Sequence, residues 1–495
     1  MSNIVIGKHA LESLTTGMYS DPMVIFREYI QNAVDSIDVA IENHIVEKMD
    51  TAIEIIINSA EGKISIIDNG MGIDSSIAEK TLISIGNSKK SSNVSRGFRG
   101  IGRLAALSYC SKLTFETSTK GEKKGFRLSI DAKKLIERLS IQDEDDVTAE
   151  DVISEVYDVE LYTEKEKKHY FNVIMEGIDI DSELLDQEKV ISYISQNGPV
   201  PYHPEQFQWG REIRNRIHAE GYQIPEYSIY VLAFGKKTQL FKTYTDIFLI
   251  DKGRNIFDSI QDIDILKFES VDGRLGTVGW LAKTNLLGSV SDRDSKGIRL
   301  RKGNILIGDA QTLNTAFKDA RFNGWCIGEL FVLDPMLIPN ARRDNFEKNA
   351  AYYLLTEKLQ GMAATITKDI RNASIKRNTS TLEEASSIEE KILENVSNGQ
   401  MAASKKSAVK RELQRTKSIL GGAEEESIPE NGDIDFDELD MLIDLIQGST
   451  SYKAINTLKI SNTEKRTLEK VFNVLIASDY ENAENIMDLI LKVFS

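Results

Sequence analysis

The stretch FREYIQNAVDSID, Phe26 to Asp38, decides how the N-terminal region folds. At the helical turn of 100° per residue, Glu28, Asn32 and Asp35 fall within about 60° of one another, while Met23, Phe26, Ile30, Ala33, Ile37 and Ile41 gather on the opposite side. One face packs and the other presents a carboxylate, an amide and a second carboxylate. Asp21-Pro22 just upstream supplies an N-cap side chain and the proline tolerated at the first helical position, so the spacing predicts a helix running to about Asn43.

Working outward, AIEIIIN (Ala52 to Asn58) and KISIIDN (Lys63 to Asn69) read as two strands joined by a Glu61-Gly62 turn. The second strand runs into IIDNGMGID, where Asp68 ends the apolar run and Gly70 and Gly72 permit a tight bend with close approach of a ligand. Further on, RGFRGIGRLAALS carries Gly97, Gly100 and Gly102 ahead of a helix predicted to begin near Arg103. Bare amides at a helix start suit phosphate oxygens. More strands are predicted at KLTFETS, GFRLSID and YFNVIMEGI, giving an α/β first domain with a mostly antiparallel sheet.

The bulk numbers bound the rest. A chain of 495 residues is too long for a single core, and 41% apolar with 28% charged residues is ordinary for a soluble globular protein. No run approaches a membrane span, and the start MSNIVIGKHALESL lacks the pattern of a signal peptide, so a cytoplasmic protein with no membrane contact is expected. Two distant cysteines and five scattered histidines argue against disulfides and a zinc site. The formal net charge of -16 weighs against nucleic acid as the favoured partner.

In order along the chain stand E-x-x-x-N-x-x-D, D-x-G-x-G and G-x-x-G-x-G, on a helix, a strand end and a loop entering a helix. This set resembles the N, G1 and G2 boxes of the GHKL ATPases, the superfamily of heat-shock protein 90 chaperones, type II topoisomerase ATPase subunits, mismatch-repair MutL proteins, sensor histidine kinases and MORC proteins. The resemblance implies an N-terminal GHKL (Bergerat) ATP-binding α/β sandwich with ATP and Mg2+ as cofactors. It assigns Glu28 as the general base for the attacking water, Asn32 as the Mg2+ ligand, Asp68 as the adenine-reading carboxylate and Asp35 as a further polar position of the N box. The loop SIGNSKKSSNVSRGFRG resembles the lid over the triphosphate: Ser88, Lys89 and Lys90 reach phosphate, Gly97, Gly100 and Gly102 supply backbone donors, and Arg99 and Ile101 sit among them.

A carboxylate base beside an amide-oxygen metal ligand is what hydrolysis of a magnesium nucleotide requires, which answers why these residue types stand on one helix face. Further along, IPNARRDNFEKN (Ile338 to Asn349) resembles the middle-domain loop of the heat-shock protein 90 family whose arginine reaches the γ-phosphate. The alignment places Arg343 there, with Arg342 as the alternative. One departure stands out: many relatives carry a Gly-Thr pair entering a late strand, whereas HYFNVIMEGI has Tyr170 and Phe171, with Asn172 as the candidate substitute.

The expected organisation is an ATP-binding domain at residues 1–190, a linker at QNGPVPYHPEQF holding three of eight prolines, and a second, middle α/β domain at 200–375 with strands at YSIYVLAF, GTVGWLAK and GIRLRKGNILIG. A partly disordered or helical connector at 376–435 and a helical C-terminal bundle at 436–495 that holds a homodimer complete it. The implied function is Mg-dependent ATP hydrolysis driving a dimeric clamp on a protein client. The alternative is a nucleic-acid-handling clamp similar to MORC, mismatch-repair or topoisomerase subunits, in a bacterial antiphage defence setting.

Overall fold

A computed structural model describes residues 21–84, 102–141, 148–397, 455, 458–478 and 480–493. The chain divides into two compact units, Met1–Thr367 and Lys368–Ser495.

In the first unit, α1 (Val24–Glu42) lies against a mixed sheet. Its start is fixed by Asp21, whose Oδ1 accepts the Met23 amide at 2.9 Å, while Pro22 sits where a missing N–H costs nothing. The apolar stripe packs as the periodicity predicts, with Phe26, Val34, Ile37 and Ala40 fully buried. The polar face is buried too, because Arg27, Glu28, Gln31 and Asp35 are each less than a tenth exposed.

β1 (Ile53–Asn58) and β2 (Lys63–Asp68) pair antiparallel as predicted, and their alternating burial gives one face to the core and leaves the other half open. β3 (Lys112–Ser118), β4 (Lys124–Asp131), β5 (Tyr157–Thr163) and β6 (Tyr170–Glu176) extend the sheet, and β7 (Ile229–Ala233) and β8 (Lys236–Gln239) complete it in the order β5-β4-β3-β6-β2-β1-β7-β8. Every pairing is antiparallel except β1 with β7. Here the structure corrects the sequence reading. YSIYVLAF, expected in the second domain, is the strand beside β1, and its Ile229, Val231 and Ala233 join the first core. The proline-bearing segment is no solvated linker either, since Val200, Tyr202 and Phe207 are buried within it.

Helices α2 (Ser75–Ile83), α3 (Ala132–Leu139), α4 (Ala149–Ser154), α5 (Gln187–Asn197) and α6 (Trp209–Ala219) accompany these strands. A β9–β10 hairpin (Ile247–Asp251, Ile256–Ser259) precedes a second sheet of β11 (Asp262–Glu269), β12 (Leu275–Lys283), β13 (Gly297–Lys302), β14 (Ile305–Ile307) and β15 (Ile327–Val332), ordered β11-β12-β15-β13-β14. Trp280, Phe207, Phe331 and Tyr244 fill the core on it.

α7 (Ala350–Ser397) makes the first part of the expected connector helical. In the second unit, α8 (Asn462–Ser478) and α9 (Tyr480–Leu491) pack through Leu468, Phe472, Met487 and Leu491, and Ser461 and Glu464 close a reciprocal cap at the start of α8. The predicted helix FDELDMLIDLI lies outside the described residues. No described helix is long and apolar enough to cross a membrane.

Candidate nucleotide-binding site

α1 collects the motif residues along its length. Toward its start, Glu28 is 8% exposed and meets Gly102, where a Cβ would stand 2.3 Å from Glu28 Oε2. Only a glycine lets that backbone lie on the carboxylate. Two guanidinium groups flank the same side chain: Arg343 Nε lies 3.4 Å and Arg27 Nε 3.7 Å from Glu28 Oε1. Neither contact is a hydrogen bond, and Glu28 Oε1 is a buried oxygen with no hydrogen-bond partner among the described residues. The carboxylate is thus charge-compensated while a lone pair remains uncommitted.

The loop that delivers Arg343 is tightly built. The Asn340 amide donates to Asn345 O at 2.9 Å, the Glu347 amide to Ile338 O at 2.8 Å, and the Gly308 amide to Arg343 O at 2.8 Å. Arg343 takes φ +57°, a left-handed conformation that costs a side-chain-bearing residue about 1 kcal/mol. Arg27 grips this loop as well, donating from Nη2 to Arg342 O at 2.9 Å. Of the two arginines weighed from sequence, Arg343 turns to Glu28, whereas Arg342 is exposed and contributes its carbonyl.

Toward its end, α1 holds the glycine bend. Asp68 is 3% exposed and accepts the Gly70 amide at 2.9 Å. The Met71 amide is shared between Ser36 O at 3.1 Å and Ser36 Oγ at 3.0 Å. His169 Nδ1 stands 2.8 Å from the Gly70 carbonyl oxygen. Gly72 takes φ +70°, and a Cβ there would meet Ser118 O at 2.1 Å, so glycine is required twice over. Thr117 Oγ1 accepts the Ile73 amide at 2.8 Å and donates to Tyr170 O at 2.9 Å, fastening the bend to β3 and β6. Glu28 and Ser36 are eight positions apart, about 12 Å along the helix axis.

Between these ends Asn32 is half-buried and Asp35 buried. Ser88, Lys89, Lys90, Gly97, Arg99, Gly100 and Ile101 lie outside the described residues. Gly102 opens a 3-10 helix, Gly102–Ser108, in place of the α-helix predicted from Arg103, so the full macrodipole of an α-helix is not available there. That segment is tied to α1 where Tyr29 Oη donates to Arg103 O at 2.8 Å, and Arg103 donates onward to Ser84 O at 2.7 Å. Burial lowers the Arg103 guanidinium from its ordinary value and raises the Tyr193 phenol, the latter against the pull of Arg27.

Asn172 does not replace the missing Gly-Thr pair. The register sets Phe171 opposite Asp68 and Asn172 opposite Ile67, on the other face of the sheet, where Asn172 is held by Ser65 at 2.6 Å and Glu116 at 3.1 Å. Arg27, Ser36, Thr117 and His169 escaped the sequence reading. Arg27 alone carried a signal, a basic side chain next to Glu28 inside an otherwise apolar turn.

The buried Glu28 carboxylate and the glycine bend after β2 thus lie along one helix, α1. Residues 20–163 match the family described as histidine kinase-, DNA gyrase B-, and HSP90-like ATPase, which supports a GHKL-type ATP-binding domain in this part of the chain. No curated protein matches the chain. Among the described residues no group of three or more His, Cys, Asp or Glu side chains is placed to hold a metal, so a magnesium ion here would rest on the Asn32 amide oxygen, a hard ligand of the kind it takes, and on the phosphates.

Proposed function

We propose that the chain binds Mg-ATP along α1 and hydrolyses it, with adenine at Asp68 and the γ-phosphate at Glu28. The observation that carries this reading is the convergence on one helix of Gly102 and Arg343 at Glu28 and of the Asp68-Gly70 bend at Ser36. Bound magnesium, held by Asn32 Oδ1 and the phosphates, would offset the triphosphate charge.

Glu28 takes the proton from the attacking water through its uncommitted oxygen, acting as general base. Arg27 and Arg343 stand beside that carboxylate and offset its charge. Arg343 also faces the position proposed for the γ-phosphate, where its guanidinium stabilises the charge that builds on the transferring phosphoryl group. Because Arg343 belongs to the loop bound to Gly308, nucleotide at Glu28 bears directly on the second sheet. We place this coupling in an ATP-gated clamp acting on a protein client, with the C-terminal helices joining two copies.

Two variants test the chemistry. Glu28→Ala is expected to keep nucleotide and lose hydrolysis, and Asn32→Ala to lose Mg-ATP binding. Stimulation of turnover by unfolded protein supports the chaperone-like clamp, and stimulation by DNA instead would overturn it.

A further inference from the structure

A fully buried ionic cluster sits apart from the nucleotide site. Lys242 Nζ donates to Glu329 at 2.9 and 2.7 Å and to Asn304 Oδ1 at 2.8 Å. Tyr202 Oη donates to Glu329 Oε2 at 2.6 Å, and Arg301 Nε donates to Glu329 Oε1. Two cations share one carboxylate, so burial and the nearby Arg301 pull the Lys242 ammonium down to about 7 despite Glu329. Burying such a group costs several kcal/mol per ion, and its partners must be complete to hold it.

The remaining donors of Arg301 point to a use beyond core cohesion. Nη2 donates to Gln196 O at 2.7 Å, at the C-terminal end of α5, and Nη1 to Asn304 O at 3.1 Å. Cationic donors on the last carbonyls of a helix fasten that end. Asn304, with φ +63° and no exposure, forms the turn between β13 and β14 and donates to Pro225 O at 2.6 Å. The β13–β14 hairpin is therefore clasped to α5 at its tip. Its other contacts lead to the Arg343 loop: just ahead of it Lys302 Nζ donates to Asp334 O at 2.9 Å and Leu337 O at 2.7 Å, and within it the Gly308 amide donates to Arg343 O. The circuit closes at α1, where Arg27 and Ile30 line one seam with Tyr193 and Ile194 of α5 and Ile305 of β14.

We propose that Arg301 is a positioning residue for Arg343: by clasping the β13–β14 hairpin to the end of α5, it sets the reach of the Arg343 loop to Glu28. This rests on the ATPase reading above. An ion pair that serves only the core would affect folding and binding of nucleotide together, whereas a positioning role acts on turnover through one side chain.

The test is a double-mutant cycle of Arg301→Met and Arg343→Ala on ATP hydrolysis by the full chain, with nucleotide affinity and Tm measured alongside. Arg301→Met is expected to lower kcat by roughly 30-fold with KM within about 3-fold, since a displacement on the order of 1 Å at the reacting centre costs about 100-fold. The double variant is expected to be no slower than Arg343→Ala alone. Effects that multiply, or a KM that rises as steeply as kcat falls, overturn the positioning role. If Arg301→Met does not fold, Lys302→Met, which loosens the same hairpin from the loop, enters the same cycle with the same two outcomes. Parental hydrolysis by Arg343→Ala would bring down the role given to Arg343 and this proposal with it, whereas absence of hydrolysis by the parent chain would bring down the ATPase reading itself. A slow Arg343→Ala with multiplying effects removes only the role of Arg301.

Discussion

Replacing Gly102 with alanine displaces the Glu28 carboxylate without changing its chemistry. A Cβ at position 102 would stand 2.3 Å from Glu28 Oε2, 3.2 Å from its Cδ and 3.4 Å from its Cβ. Non-bonded heavy atoms rest about 3.5 Å apart, so the carboxylate must retreat by about 1 Å. The yielding atoms are the far end of a flexible side chain, and alanine is the better helix former by under about 1 kcal/mol, so global stability is expected to hold within about 1 kcal/mol. A 1 Å error at a reacting group costs on the order of 100-fold in rate. Phosphate release under saturating Mg-ATP is therefore expected to fall about 100-fold in Gly102→Ala, with Tm and nucleotide affinity near the parental values. Turnover within about 3-fold of the parent would show that Glu28 does not need the place this packing gives it.

Ser36→Ala removes the hydroxyl that accepts the Met71 amide at 3.0 Å and loosens the Asp68-Gly70 bend by about 1 kcal/mol; ATP affinity measured by calorimetry is expected to drop roughly 5-fold while saturated turnover holds. Arg343→Gly relieves a left-handed backbone at φ +57°, so it is expected to keep or raise stability by up to about 1 kcal/mol while hydrolysis falls by about 100- to 1,000-fold, a split readable from Tm and phosphate release. Burial brings the Lys302 ammonium down to about 8. Between there and the ordinary lysine value near 10.4 the unfolded chain holds the extra proton, so this group makes stability rise with pH, by up to about 3 kcal/mol. Urea midpoints at pH 7.5 and 10 should diverge for the parent and flatten in Lys302→Met; equal slopes would refute that source.

Local pattern accounts for much that was legible before any coordinates. The stripe on α1, the β1–β2 pair and the Asp68-Gly70-Gly72 bend are short-range features whose apolar period and turn residues speak for themselves. The pairing of β7 with β1 was not legible, because parallel partners so far apart in sequence leave no local trace, and proline spacing suggested a boundary in their place. β5 was missed since an edge strand exposed on both faces lacks the alternation of a half-buried one. LAALS reads as an α-helix by composition yet forms a 3-10 turn, held by Tyr29 and Arg103 rather than by its own propensity. The face on which Asn172 lies depended on its register with β2, and only the pairing of Asp68 with Phe171 resolved it. The ends of the site that needed tertiary contact, Arg27 on the Arg342 carbonyl and Ser36 on Met71, stayed silent for the same reason.

Calorimetric titration of Mg-ATP into Glu28→Ala separates nucleotide binding along α1 from its turnover in one experiment. A single ATP bound per chain is expected, with a clean binding isotherm and no sustained heat of hydrolysis. Absence of binding heat, or steady heat release at the parental rate, would contradict it.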